Sequence, residues 1–153
     1  MRFFRTVWLL LLASVISASA LAQDHGTPDE ARALVNAALG HIKKVGNTQA
    51  FKDFTTDKAT WVKKDLYIFV FDTQGIMLAH GANDRLIGNN LSTLKDQKGK
   101  PFVRELIDLA ATQGEGWVDY EWAHPVTKKI EKKSTFTKRI PGFSGSVLVG
   151  VYR

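Results

Sequence analysis

The sequence predicts an α+β domain with a five-stranded antiparallel sheet. Two segments repeat apolar residues at the spacing of an amphipathic helix. Five other segments are short, are rich in β-branched and aromatic residues, and are separated by turn-forming residues. Their order along the chain is helix, two strands, helix and three strands, which is the order expected of an α+β domain.

The first helix is predicted from about Pro28 to Val45. Thr27 can cap its N-terminus, and Glu30 lies three residues later, as a capping box requires. Gly46 then ends the helix. The apolar residues form one stripe: Ala31, Leu34, Val35, Ala38, Leu39 and Ile42. This pattern predicts a helix that packs against the rest of the domain.

The other elements follow from the same kinds of pattern. A short second helix is indicated near residues 50–54, and a longer amphipathic helix begins at Pro101 and stops at Gly114. A loop rich in Gly, Asn and Asp occupies 81–90. The five strands are predicted at 66–71, 76–80, 117–122, 134–140 and 147–152. The first two form a hairpin around a turn that contains Gly75.

Residues 1–22 have the features of a secretory signal peptide. Arg2 and Arg5 precede an apolar run, and small residues follow at Ala20 and Ala22, the two positions that a signal peptidase inspects. The apolar run is shorter than the roughly 20 residues of a bilayer span. We therefore expect cleavage and release into the periplasm of one domain, residues 23–153. The alternative is an uncleaved anchor that tethers the domain to the inner membrane.

The composition excludes several classes of function. The chain has no cysteine, so disulfides, thiolate metal sites and cysteine nucleophiles are impossible. Its formal net charge of +6 is spread along the chain without an arginine-rich helix, which argues against nucleic-acid binding. A mild basic excess suits anionic small ligands or an anionic membrane surface.

No catalytic or metal-binding motif is present in the sequence. The four histidines never occur in an H-x-H or H-x-x-x-H pair, which disfavours a zinc site, and we expect no cofactor. Asp119 and Glu121 lie two apart on one face of a predicted strand and should see water, while Val118, Tyr120 and Trp122 share the other face. Acidic pairs of this kind are common on sheets, so an enzyme is not indicated.

The candidate ligand-binding residues are large aromatic or basic side chains in or beside the strands. They are Tyr67, His80, Arg85, Trp117, Tyr120, Trp122 and Lys133. Tyrosine and tryptophan offer a flat apolar body with one donor, which suits a small carboxylate or amine. Lys133 is either a solvated strand residue or a charge that points into a pocket. Arg85 is either a surface residue or a carboxylate clamp, and His80 is either a structural hydrogen bonder or a ligand contact.

Residues 65–152 resemble the single Cache domains of the second type. The likeness rests on a series of segments that occur in the family's order: 65–72, Gly75, 78–81, 86–91, 94–96, 100–106, 114–122, 125–129, Lys133 and 150–152. The resemblance implies a PAS-like sheet with a long N-terminal helix packed against it. It also implies an extracytoplasmic sensor that binds small molecules, often short organic acids, through Tyr67, Tyr120, Trp122 and Lys133.

The chain departs from the family pattern at two positions near this lysine. Lys132 stands where the family has proline, and Phe136 stands where it has tyrosine, which removes a hydroxyl donor. Family members in receptors continue into a transmembrane helix and an output domain, whereas this sequence stops at Arg153.

We therefore expect a free ligand-binding domain that lacks its own output domain and acts with a membrane receptor or another periplasmic protein. The alternative is an exported protein–protein interaction module without a small ligand.

Overall fold

The computed structural model describes residues 25–153, so the predicted signal peptide lies outside the described residues and remains a prediction. The helices are α1 (Pro28–Val45), α2 (Asn47–Thr56), α3 (Lys58–Trp61) and α4 (Phe102–Gln113), with a 3-10 turn at Asp84–Leu86. The strands are β1 (Val62–Lys63), β2 (Leu66–Asp72), β3 (Met77–His80), β4 (Glu115–Ala123), β5 (Ile130–Arg139) and β6 (Gly145–Tyr152). Within 25–153, no helix is both long enough and apolar enough to cross a bilayer.

The strands form one antiparallel sheet in the order β1-β2-β6-β5-β4, and β3 pairs with β2 on the edge that it shares with β1. The predicted α+β class is confirmed. The predicted count of five strands misses β1, whose two residues are too few to show a period. Strand β5 also begins at Ile130, earlier than predicted. The charged residues that follow Ile130 have no strand pattern of their own, but they pair with the end of β4.

Helix α1 has the bounds that its capping pattern predicts. The Thr27 side chain accepts a hydrogen bond from the backbone of Glu30 at 3.2 Å, and the Glu30 carboxylate accepts one from the Thr27 backbone at 2.8 Å. The helix ends at Gly46, whose φ of 84° is readily adopted only by glycine. Its stripe of Ala31, Leu34, Val35, Ala38 and Ile42 is buried against the sheet.

The sheet has a different hydrophobic core on each face because side chains alternate along each strand. Ile68 and Val70 of β2 face α1 and α2. Tyr67, Phe69 and Phe71 of the same strand face α4 and the loop that crosses from β3 to α4. The α1 face is filled mainly by aliphatic side chains, whereas the α4 face is rich in aromatic rings. The candidate site lies on the α4 face.

The segment before α1 is fixed to the start of β2. Asp65 is buried, and its carboxylate accepts hydrogen bonds from the Gly26 backbone at 2.7 Å and from His25 Nδ1 at 2.6 Å. Gly26 approaches so closely that a Cβ there would lie 2.2 Å from Leu66 Cγ. Leu66 is itself buried in the core, so a methyl group at residue 26 would have to displace a packed side chain.

We predict opposite effects for two Gly→Ala substitutions. Gly26→Ala should destabilise the fold by about 1–3 kcal/mol, the usual cost of overpacking. Gly40→Ala, in the interior of α1, meets no atom within 4 Å. It should stabilise the fold by about 0.5–1 kcal/mol because alanine loses less backbone entropy in a helix. Urea unfolding of the two variants measures both effects. Equal stability of the two variants would contradict the close approach at Gly26.

Candidate functional site

Lys133 is buried at the centre of the α4 face, with only 2% of its surface exposed. Its Nζ donates a hydrogen bond to Tyr67 Oη at 2.6 Å. The same Nζ lies 4.6 Å from the centroid of the Tyr67 ring, 4.7 Å from that of Tyr152 and 5.3 Å from that of Phe69. These distances place the ammonium group within cation–π range of three aromatic rings. Lys133 is therefore not a solvated strand residue.

Gly150 makes room for this lysine. A Cβ at Gly150 would lie 1.9 Å from Lys133 Cε and 2.7 Å from Thr135 Oγ1. Strands β5 and β6 are adjacent, and Gly150 pairs with Thr135 while Tyr152 pairs with Lys133. The absence of a side chain at position 150 thus lets the long lysine side chain lie along the sheet.

Lys133 forms no ion pair with a carboxylate anywhere in the described chain. Burial lowers its pKa from 10.5 to about 7, and the more distant charge of Asp65 offsets part of that effect. A buried cation without a counter-ion is costly, so the ammonium and the neutral amine have similar free energies near neutral pH.

The tyrosines around Lys133 form a short polar network inside an aromatic wall. Tyr67 Oη lies 3.4 Å from Tyr152 Oη, which donates to the Ala123 carbonyl at 3.0 Å. Tyr120 Oη lies 2.9 Å from Thr135 Oγ1. Burial raises the pKa of all three tyrosines. Each hydroxyl therefore keeps its proton and can act as a donor at neutral pH.

His80 is a structural hydrogen bonder, and its role as a ligand contact remains a prediction. Its Nδ1 accepts hydrogen bonds from the backbone N–H groups of Ala82 at 3.1 Å and Asn83 at 2.8 Å, which shapes the loop. Its ring is 5.7 Å from the Phe69 ring and nearly parallel to it. Burial, followed by the charges of Lys133 and Lys58, lowers its pKa from 6.5 to about 3. The hydrogen-bond pattern assigns the proton to Nε2, so the ring is a neutral donor.

A small cavity lies between the sheet, α4 and the covering loop. Its volume is about 30 Å³, which is the space of about one water molecule. Phe102 at the start of α4 stacks on Tyr120 with a centroid distance of 4.0 Å. The other lining residues are Tyr67, Phe69, Phe71, Met77, His80, Leu86, Leu91, Leu94, Val103, Trp122 and Lys133. We call this space the inner cavity.

A larger cleft adjoins the inner cavity toward solvent. It has a volume of about 440 Å³ and lies between the loop after β3 and the turn after β4. Both spaces are lined by Tyr67, His80, Leu86 and Trp122. We call this second space the outer cleft. Arg85 is exposed and lines it.

The structure thus brings together six of the seven candidate residues. Five line the inner cavity: Tyr67, His80, Tyr120, Trp122 and Lys133. Arg85 lines the adjoining cleft. Trp117 lies on the opposite face of the sheet, where its ring is 5.2 Å from Phe136 and 5.4 Å from the Arg32 guanidinium. Strand alternation separates Trp117 from Tyr120, because the two residues are an odd number of positions apart.

Sequence reasoning did not identify several residues that build the inner cavity. Phe69 lines the cavity from β2, two strands away from Lys133, and Phe102 closes the wall beside Tyr120. Tyr152 contacts Lys133 from the adjacent strand β6. The alternation of Leu148, Gly150 and Tyr152 in the last strand was a usable signal for Tyr152, since it puts a glycine and an aromatic residue on one face. The contribution of Phe102 depends on how α4 packs, which no local pattern predicts.

His25, Asp65 and His124 come together although they are distant in sequence, and their ligand atoms lie within 4.8 Å of one another. His124 Nδ1 accepts hydrogen bonds from the backbone of Val126 and Thr127. The proton of the ring is therefore on Nε2, which is 3.5 Å from Asp65 Oδ2. A metal ligand needs a lone pair on that nitrogen, so a protonated Nε2 does not fit a metal site. This buried Nε2 makes no hydrogen bond within residues 25–153.

The comparison with known families agrees with this architecture. The sequence pattern of Single Cache domain 2 matches residues 10–153. The chain belongs to the single Cache domain 2 family. The family match begins within the segment that we predict to be a signal peptide. The resemblance stated from the sequence is thereby confirmed.

Two curated proteins share this Cache domain. The methyl-accepting chemotaxis protein McpP of Pseudomonas putida is 24% identical over 99% of the chain and 32% of its own length. The sensor histidine kinase MctS of Rhizobium johnstonii is 34% identical over 58% of the chain and 19% of its own length. The chain therefore spans about a third and a fifth, respectively, of these larger proteins.

Solved structures show the same Cache fold. A periplasmic sensor domain of a chemotaxis protein is 28% identical, with a TM-score of 0.66 over 79% of this chain and 91% of that one. A methyl-accepting chemotaxis protein from Vibrio parahaemolyticus is 24% identical, with a TM-score of 0.69 over 81% and 86%. A Cache chemosensory domain described for carboxylic acid recognition is 22% identical, with a TM-score of 0.69 over 81% and 91%. The chain is a Cache sensor domain similar to the periplasmic ligand-binding domains of chemoreceptors.

We predict that Lys133→Met stabilises the Cache domain most at acidic pH. Below pH 7 the wild-type fold bears the cost of a buried ammonium, which methionine does not have. Because the pKa is about 7 in the folded state and 10.5 when unfolded, wild-type stability should rise as pH increases through this window. The advantage of Lys133→Met should therefore shrink from pH 6 to pH 9.

The measurement is urea unfolding of wild type and Lys133→Met at pH 6, 7.5 and 9. The tyrosines keep their protons in this range and His80 stays neutral, so the pH dependence of the difference reports Lys133. Lys43→Met, at an exposed position on α1, is the matched control and should give a difference that does not change with pH. A pH-independent difference for Lys133→Met would show that Lys133 does not titrate in this window.

Proposed function

We propose that this Cache domain is an extracytoplasmic sensor that binds a short organic acid, with the carboxylate on Lys133. The observation that carries the proposal is a buried cation without an ion-pair partner, beside a cavity walled by aromatic rings. Support also comes from the related Cache domain described for carboxylic acid recognition. The domain has no catalytic role in this proposal.

A carboxylate would supply the counter-ion that the lysine lacks. Lys133 Nζ, Tyr67 Oη and His80 Nε2 are all donors at neutral pH, and a carboxylate oxygen accepts from such groups. The interaction is stronger there than in water because the effective dielectric constant of a buried site is low. The apolar part of the acid would lie against Phe69 and Phe102.

The inner cavity must enlarge to admit even a short acid, which favours a ligand of few carbon atoms. A volume of about 30 Å³ holds less than a two-carbon acid without adjustment. The wall that can move is the loop between β3 and α4, because Leu86, Leu91 and Leu94 are only partly buried. Ligand entry would displace these side chains outward, whereas the sheet side of the cavity is fixed by strand pairing.

The proposal includes location and partners. Residues 1–22 would direct export and be removed, which releases the domain into the periplasm. It would then bind its ligand and act on a membrane receptor or another periplasmic protein. Retention of residues 1–22 would instead tether the same domain to the inner membrane.

A protein–protein interaction module without a ligand is the second candidate. The near-closure of the inner cavity favours it, because side chains occupy most of the space that a ligand would need. The two candidates differ in whether a small carboxylate stabilises the folded state.

We predict that propionate raises the melting temperature of the wild-type protein, whereas its neutral amide, propionamide, does not. Binding to the native state adds about 2.7 kcal/mol at 100 times Kd, which corresponds to several degrees for a domain of this size. Lys133→Met should lose the shift, and Lys43→Met should keep it. Thermal-shift assays with acetate, propionate and lactate, each paired with its amide, test this. Equal shifts from acid and amide, or none from any acid, would favour the interaction module.

The affinity for the acid should also depend on pH. Above pH 7 the lysine is largely neutral, so carboxylate binding must take up a proton, and Kd should rise up to tenfold per pH unit. Below pH 7 the affinity should be constant until the acid itself is protonated. Calorimetry at pH 8 in buffers of different ionisation enthalpy measures the proton uptake directly. Binding at pH 8 without proton uptake would exclude Lys133 as the cation that meets the carboxylate.

A further inference from the structure

The outer cleft is lined by basic side chains that do not line the inner cavity. Two cationic side chains, Arg85 and Lys128, line it from opposite sides, and no carboxylate of the described chain is among its lining residues. Asn83 adds an amide at the rim. A cleft of about 440 Å³ with two cations and no acid favours an anionic occupant.

The two cations are available to a ligand. Arg85 is exposed and forms no ion pair within residues 25–153. Lys128 Nζ bonds only to a neutral group, the Pro125 carbonyl at 2.6 Å. The backbone of Lys128 has a left-handed φ of 62°, which is uncommon outside glycine, and its N–H donates to the His124 carbonyl at 2.9 Å. The tight turn thus holds this lysine at the mouth of the cleft.

The outer cleft and the inner cavity are adjacent and share part of their lining. Tyr67, His80, Leu86 and Trp122 line both spaces. The partly buried side chains of Leu86 and Trp122 lie where the two spaces meet. A ligand whose first carboxylate met Lys133 would extend past these side chains into the cleft.

We propose that the ligand is a short dicarboxylic acid, with one carboxylate in the inner cavity and the second bound by Arg85 in the outer cleft. This inference rests on the proposed function, because it takes the first carboxylate to meet Lys133. The guanidinium can bind the second carboxylate through two parallel hydrogen bonds, and Lys128 adds a second positive charge. The outer carboxylate stays near solvent, so its desolvation is incomplete.

Succinate and butyrate are the probes that test this inference, since both have four carbons and differ in the second carboxylate. Calorimetry at pH 7 should give a Kd for succinate about tenfold lower than for butyrate, a difference of about 1.4 kcal/mol. Arg85→Ala should raise the Kd for succinate about tenfold and change the Kd for butyrate less than twofold. Lys133→Met should weaken both acids.

Arg104→Ala is the matched control because it removes the same charge from a half-buried position on α4 that lines neither space. It should leave both affinities unchanged. Butyrate binding as tight as succinate binding, or an Arg85→Ala effect equal for the two acids, would overturn the inference and leave the proposed function intact. Failure of every mono- and dicarboxylic acid to bind the wild type would overturn the proposed function and this inference with it.

Discussion

The site depends on the burial of one lysine without a counter-ion. Lys133 lies inside the domain, and the groups that stabilise its ammonium are a tyrosine hydroxyl and three aromatic faces. Such contacts offset only part of the desolvation cost, and this is why the pKa falls to about 7. The domain thus retains a cation whose favourable partner would have to come from outside.

The two faces of the sheet are covered by different elements and packed with different kinds of side chain. On one face, α1 and α2 pack on aliphatic side chains and on Phe136, with Arg32 lying 4.6 Å from the Phe136 ring. On the other face, only α4 and a long loop cover the aromatic side chains. Both α1 and α4 pack on β5, the strand that carries Lys133, so its pairing is supported from both faces. The α4 side includes the less tightly packed loop, through which a ligand would enter.

A continuous set of contacts joins this site to the start of α1. Lys133 bonds to Tyr67, whose hydroxyl lies near that of Tyr152. The Tyr152 ring is 4.6 Å from the His124 ring, and His124 faces the carboxylate of Asp65, which binds the segment before α1. The contacts between the inner cavity and the first helix thus involve side chains of β5, β2 and β6, His124 after β4, and Asp65 just before β2.

Local patterns in the sequence determined the two long helices, the main strands and the class of the fold, whereas the short helix α3 was not predicted. A capping box and an apolar stripe fix α1, and alternation in β4 puts Tyr120 and Trp122 on one face, because these signals act within a few residues. Only the tertiary structure decided that Lys133 is buried, that Gly150 makes room for it, and that Trp117 belongs to the other face's core. The tertiary structure alone also brought His25, Asp65 and His124 close together in space. The reason is physical: burial, register and long-range contacts depend on which strands pair, and no short segment of the chain encodes that pairing by itself.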